Sequence, residues 1–154
     1  MKYENMDITS VERGLIVQGV NCRHAMGAGV ALAIMEKWPI VRTSYMKSSS
    51  GEDMLGTTHI INVEPGISVA NCYTQLDYIG YSGHPSVKPC ASIDAIKSSL
   101  ESAFIHAEMY DIPIYLPQIG AGLGGLDWEL DVEPIIHSLD EQYETVETTI
   151  CVWR

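Results

Sequence analysis

Residues 118 to 129, Gln118-Ile119-Gly120-Ala121-Gly122-Leu123-Gly124-Gly125-Leu126-Asp127-Trp128-Glu129, constrain this chain more than any other stretch. Four glycines fall within six residues. Each carries a backbone-entropy cost that weakens a helix or a strand. An apolar run, Ile112 to Leu116, enters the stretch, and an acidic, helix-like segment leaves it. A strand, a glycine loop and a helix start in succession form a ready anion site. Backbone N–H groups are not screened by side chains there, and the positive end of a helix dipole points the same way. The stretch reads as a phosphate-binding loop or as a plain surface loop.

A second unit of the same kind lies earlier. Gly14 to Val20 is short, apolar and β-branched, which predicts a buried strand. It runs through Asn21-Cys22-Arg23-His24 into Ala25-Met26-Gly27-Ala28-Gly29. Val30 to Trp38 then carries apolar residues at helical spacing until Pro39 stops or bends it. A short strand is expected from Tyr3, another at His59–Val63, and its hairpin partner at Val69–Tyr73 across Glu64-Pro65-Gly66. Residues 74 to 90 read as a long loop. Ala91 to Tyr110 is an amphipathic helix with Ile93, Ile96, Leu100, Phe104 and Ala107 on one face. Ser92 with Ala95 three residues on makes no capping box. Ile112–Leu116 is a strand, Trp128–Tyr143 is mostly helix with Pro134 near the first turn of its main part, and Thr148–Trp153 is the last strand. The alternation predicts an α/β fold, a mixed central sheet covered on both faces. In such folds ligands sit at the carboxyl ends of strands. Two glycine loops on that rim can clasp one pyrophosphate.

At 154 residues and 46% hydrophobic content, one domain spanning 1–154 with a sizeable core is expected. No apolar run has the length of a membrane span, and no apolar leader follows Met1. Cys22, Cys72, Cys90 and Cys151 are scattered, without a C-x-x-C pair, so no metal site is expected. Reduced cysteines in apolar runs fit a cytoplasmic location. The net charge of −11, with only nine Lys and Arg, argues against gripping a nucleic acid. A small dianion feels mainly charges within about 8 Å, so an acidic chain can still bind a nucleotide through local N–H groups.

These motifs resemble the macrodomain family, the ADP-ribose-binding α/β fold. Asn21 with Met26-Gly27-Ala28-Gly29-Val30-Ala31 is similar to the family's first loop. Pro117-Gln118-Ile119-Gly120 through Trp128 is similar to its second. Asp7-Ile8 and Asn71-Cys72-Tyr73-Thr74-Gln75 fall where the family has matching elements. The resemblance covers nearly the whole chain. It implies a three-layer α/β/α sandwich that binds ADP-ribose or ADP-ribose 1″-phosphate without a cofactor. It is closest to the branch containing ADP-ribose 1″-phosphate phosphatases and ADP-ribosyl glycohydrolases. Glycohydrolases of this branch carry a lysine where this chain has Gln75. Phosphatase-type members commonly carry Gln there. The activity implied is therefore removal of the terminal phosphate from ADP-ribose 1″-phosphate. Two alternatives are a non-catalytic ADP-ribose reader and a lysine-independent hydrolase acting on modified protein or DNA.

The same resemblance assigns roles. Asp7 and Ile8 would hold adenine, and Trp153 would stack on it or serve as a core tryptophan. The backbones of Met26, Gly27, Ala28, Gly29 and Val30, and of Ile119, Gly120, Ala121, Gly122, Leu123 and Gly124 beside Gln118, would hold the pyrophosphate. Asn21 would bond the distal ribose, or make a local Asx turn. Gln75 would shape the site. Asp127 is a water-activating base or a helix N-cap, and His24 is an acid–base group or a solvated loop residue.

Overall fold

The computed structural model describes residues 1–25, 29–77, 91–121 and 124–152. Along the chain come β1 (Lys2–Asn5), a 3-10 turn (Ile8–Ser10), β2 (Gly14–Asn21), α1 (Gly29–Lys37) and α2 (Pro39–Lys47). A second 3-10 turn (Glu52–Met54), β3 (Thr58–Glu64), β4 (Ile67–Gln75) and α3 (Ile93–Met109) follow. Then come β5 (Ile114–Leu116), a π-helical turn (Trp128–Val132), α4 (Glu133–Gln142) and β6 (Thr148–Val152). The strands form one mixed sheet in the order β1-β6-β5-β2-β4-β3. Every neighbouring pair is parallel except the β3–β4 hairpin. The carboxyl ends of β1, β2, β4, β5 and β6 therefore share one rim.

Strand alternation feeds two layers of helix. Leu15 and Val17 of β2 pack with Ile96, Leu100 and Phe104 of α3 and Ile136 of α4. Ile16 points to the other face, against Ile34 and Val41 of the α1–α2 layer. All of these side chains are fully buried. Among the described residues no helix is long and apolar enough to cross a membrane.

The sequence reading needs four adjustments. Pro39 does stop α1, but it also opens α2, a helix not expected from the sequence. Proline fits the first turn of a helix, where its missing N–H costs nothing, and Trp38 before it leaves the helical region, with φ −128 and ψ 84, as a residue preceding proline tends to do. The loop expected from residue 74 begins later, because β4 continues through Thr74 and Gln75. Ile93 does not join the inward face of α3. It is 40% exposed, and the buried stripe is Ala95, Ile96, Ser99, Leu100, Ala103, Phe104 and Ala107. There is no capping box at its start, as expected, and Ser92 caps the helix alone, its hydroxyl accepting from the Ala95 N–H at 3.2 Å. Finally, β5 starts at Ile114, since Pro113 has no N–H to give a ladder.

Candidate functional site

Two adjoining cavities open on the carboxyl rim. The outer one, about 610 Å3, reaches Asp7 and Ile8 after β1 and Cys151 and Val152 at the end of β6. The inner one, about 260 Å3, reaches Gln18 of β2, Thr74 and Gln75 of β4, and Gly124. Both are lined by Gly29 and Val30 at the start of α1 and by Pro117, Gln118 and Ala121 after β5. They form one cleft between the two strand-to-helix crossings. A larger hollow, about 790 Å3, lies at the opposite rim between the β3–β4 hairpin and the end of α3. It contains no residue singled out from the sequence, so size alone does not mark the site.

At the outer end Asp7 caps the 3-10 turn. Its Oδ1 accepts from the Thr9 N–H at 2.8 Å and the Thr9 hydroxyl at 2.7 Å. These bonds, the hydroxyl first, hold its carboxyl below the ordinary 3.8, with Lys37 adding a smaller effect. Oδ2 has no partner among the described residues. Beside it, burial, then Glu4 and Asp7, push the Cys151 thiol up to about 12, and its side chain packs in the core cluster with Ile8, Val11 and Ile16. Trp153 lies outside the described residues.

In the first loop Gly29 begins α1 with φ +59, a left-handed conformation that glycine adopts without strain. The N–H groups of Gly29, Val30 and Ala31 are in the first helical turn, where no intrahelical acceptor exists. Met26, Gly27 and Ala28 lie outside the described residues. Asn21 does not line the cleft. Its Oδ1 accepts from Arg23 N at 3.0 Å and Ala25 N at 3.2 Å, and its Nδ2 donates to Ala25 O at 2.7 Å. Tyr45 donates to its backbone oxygen at 2.6 Å. It is a brace for the loop, the Asx-turn role. His24 turns away as well. Its φ of +58 sends the ring to the end of α2, with Nε2 3.3 Å from both Ser49 O and Ser48 Oγ and the ring edge-on to Tyr45.

The second loop is anchored by Ile119, whose side chain is buried in the core. Gly120 has φ +79, and a Cβ there would stand 2.9 Å from Ile96 Cδ1. Leu126 N–H closes the loop onto Gly120 O at 3.0 Å. Not every N–H of this loop is available to a ligand. Those of Ile119, Ala121 and Gly124 go to the carbonyls of Pro117, Gln118 and Ala121. Those of Gln118 and Gly120 make no bond to another described residue. Gly122 and Leu123 lie outside the described residues. Gln75 sits in the inner cavity, its Nε2 donating to Asp77 O at 2.9 Å. Its Oε1 is 3.7 Å from where a Cβ on Gly124 would be.

Asp127 is a cap. Its Oδ1 accepts from Leu130 N at 2.8 Å, while its own N–H donates to Asp131 Oδ2 at 2.9 Å. It lines neither cavity. Trp128 Nε1 donates to Tyr3 Oη at 2.9 Å, and Tyr3 donates to Glu133, so the Asp-Trp pair ties the loop to β1. The base roles expected of Asp127 and His24 therefore find no support in their positions. Sequence reasoning missed Gln18 and Thr74. The signal for Gln18 was present: one amide inside a run of buried apolar residues.

No family model matches the sequence. Among solved structures, the macrodomain of Mycobacterium tuberculosis DarG superimposes with a TM-score of 0.79 at 23% identity, covering 98% of this chain and 97% of that one. The fold is that of a macrodomain. A Trypanosoma brucei macrodomain in complex with ADP-ribose has the same architecture, with a TM-score of 0.69, 14% identity, and coverage of 97% of this chain and 62% of that one. By sequence, this chain is 28% identical over 152 residues to the DNA ADP-ribosyl glycohydrolase of Mycobacterium tuberculosis. The match covers 96% of this chain but only 41% of that relative's length. It is also 27% identical over 150 residues to an uncharacterized 17.5 kDa protein of enterobacteria phage T4, covering 95% of this chain and 94% of that protein.

Proposed function

We propose that this macrodomain binds ADP-ribose in the rim cleft. One observation carries the reading. Two cavities that share Gly29, Val30, Pro117, Gln118 and Ala121 put a carboxylate at the outer end, orphan N–H groups of both glycine crossings between, and a chamber lined by amides and glycine within. Asp7 Oδ2 suits an adenine amino group. The N–H groups of Gly29, Val30, Gln118 and Gly120 suit a pyrophosphate, each worth roughly 1.5–3 kcal/mol to a charged oxygen. The inner chamber suits the distal ribose. The ADP-ribose bound by the trypanosomal macrodomain supports this reading. Calorimetry with ADP-ribose tests it, and absence of heat from folded protein would sink it.

A second reading, hydrolysis of ADP-ribose 1″-phosphate, is favoured by Gln75. Its side chain lines the inner chamber where the lysine of the resembling glycohydrolases is expected. An amide nitrogen has a delocalised lone pair and cannot attack C1″, but its carbonyl can orient water. Water would add to phosphorus as the bond to the C1″ oxygen breaks, giving ADP-ribose and inorganic phosphate. Phosphate release from ADP-ribose 1″-phosphate measures this directly. Binding without release leaves the chain a reader. Release of ADP-ribose from modified DNA or protein instead would favour the activity that the mycobacterial relative's name carries.

A further inference from the structure

Gln18 is 1% exposed and Asn71, its parallel partner on β4, is fully buried. His59 of β3 faces Asn71 in the antiparallel register. The three side chains form a polar row across the sheet face beneath α1 and α2. The row divides that face's apolar packing in two. Ile16, Val69 and Ile34 lie on one side, and Val20, Tyr73 and Tyr45 on the other. Only one bond is made within the row, Gln18 Nε2 donating to Asn71 Oδ1 at 2.7 Å. Gln18 Oε1, Asn71 Nδ2 and His59 Nδ1 are buried without a partner.

A buried amide left half-satisfied carries a desolvation cost, which favours an outside partner for it. Gln18 lines the inner chamber of the cleft, so a molecule bound there is the partner within nearest reach of its amide. No described residue lining that chamber carries a charge. A free carbonyl oxygen accepts from a hydroxyl and repels a phosphate oxygen. We propose that Gln18 is a specificity-determining residue: its Oε1 accepts a hydrogen bond from a sugar hydroxyl in the inner chamber and so separates ADP-ribose from ADP. This rests on the ADP-ribose reading above. Asn71, bonded to the Gln18 amide at 2.7 Å, holds that amide in place beside the chamber.

The test compares Gln18→Met with wild type by calorimetry, using ADP-ribose and ADP as separate titrants. Methionine keeps the length and removes both polar atoms. The expected result is an ADP-ribose affinity weakened by about 5–10-fold, with ADP affinity unchanged. If the lone Asn71 amide prevents folding, Gln18→Met with Asn71→Leu removes both partners together, a change close to neutral for stability. The same split between ligands is expected from the pair. Equal losses for both ligands, or an unchanged ADP-ribose affinity, overturn the role of Gln18 alone. Wild-type protein that binds neither ligand overturns the ADP-ribose reading, and this inference with it.

Discussion

Asp7 commits one carboxylate oxygen to Thr9 and leaves the other for a ligand, so its two roles can be separated. Asn caps about as well as Asp, so Asp7→Asn should leave melting almost unchanged. It would, however, turn an amide N–H2 toward an amino donor, and ADP-ribose should bind roughly 10-fold more weakly. The native carboxyl titrates below 3.8. Its contribution to stability is thus fully present above the unfolded value and is lost only as pH falls through the lower, native one. Affinity governed by the Asp7 anion should stay level from pH 8 down to about 5. A decline within that window, or an unaffected Asp7→Asn, contradicts the assignment. The residue scale is also where the sequence was least legible. Loop order places Asp7, Gly29, Gln75 and Gly120 on one rim, and the structure brings them there. Loop order does not say where a side chain aims. A left-handed φ turns His24 toward Ser48, and local amide bonds hold Asn21 inside its own loop. Gln18 was hidden for a different reason: only the register with β4 shows that its amide is half-paired.

The second glycine crossing is a structural element as much as a binding one. Asp127 starts the turn leading into α4, and replacing such a cap with Ala costs about 1 kcal/mol. Asp127→Ala should lower the melting temperature by about 2–4 °C and leave ADP-ribose affinity and any phosphate release unchanged. Lost turnover at intact affinity would restore the base role. Gly120 is held at φ +79 against Ile96. Alanine in that left-handed geometry costs about 1–2 kcal/mol before the contact with Ile96 is counted. Gly120→Ala should therefore show a matching loss in urea unfolding, and unchanged stability would mean that the loop relaxes freely. Elements themselves were legible where periodicity was long or punctuation strong. The α4 boundary followed from Pro134, and the hairpin from Pro65-Gly66. The helix α2 was missed because its nine residues alternate polar and apolar too irregularly to show a face, and only packing of Val41 and Tyr45 reveals it.

Over the whole molecule, a net charge of −11 faces a dianionic ligand. The attraction comes from N–H groups at contact range, which salt screens little, while the repulsion comes from distant carboxylates, which it screens well. Affinity for ADP-ribose should hold steady or rise slightly between about 20 mM and about 150 mM salt. A site built on Lys and Arg would weaken instead, and a steep fall would contradict this electrostatic account. The architecture was the most legible level, since strand–loop–helix alternation specifies a sheet with two covered faces and a ligand rim. Binding of ADP-ribose at that rim is measured by calorimetry on this chain. One ligand per chain with a dissociation constant on the order of micromolar is the predicted result. No heat up to about 1 mM ligand, a weakness of roughly 4 kcal/mol in binding free energy or less, from protein shown by circular dichroism to be folded, would contradict it.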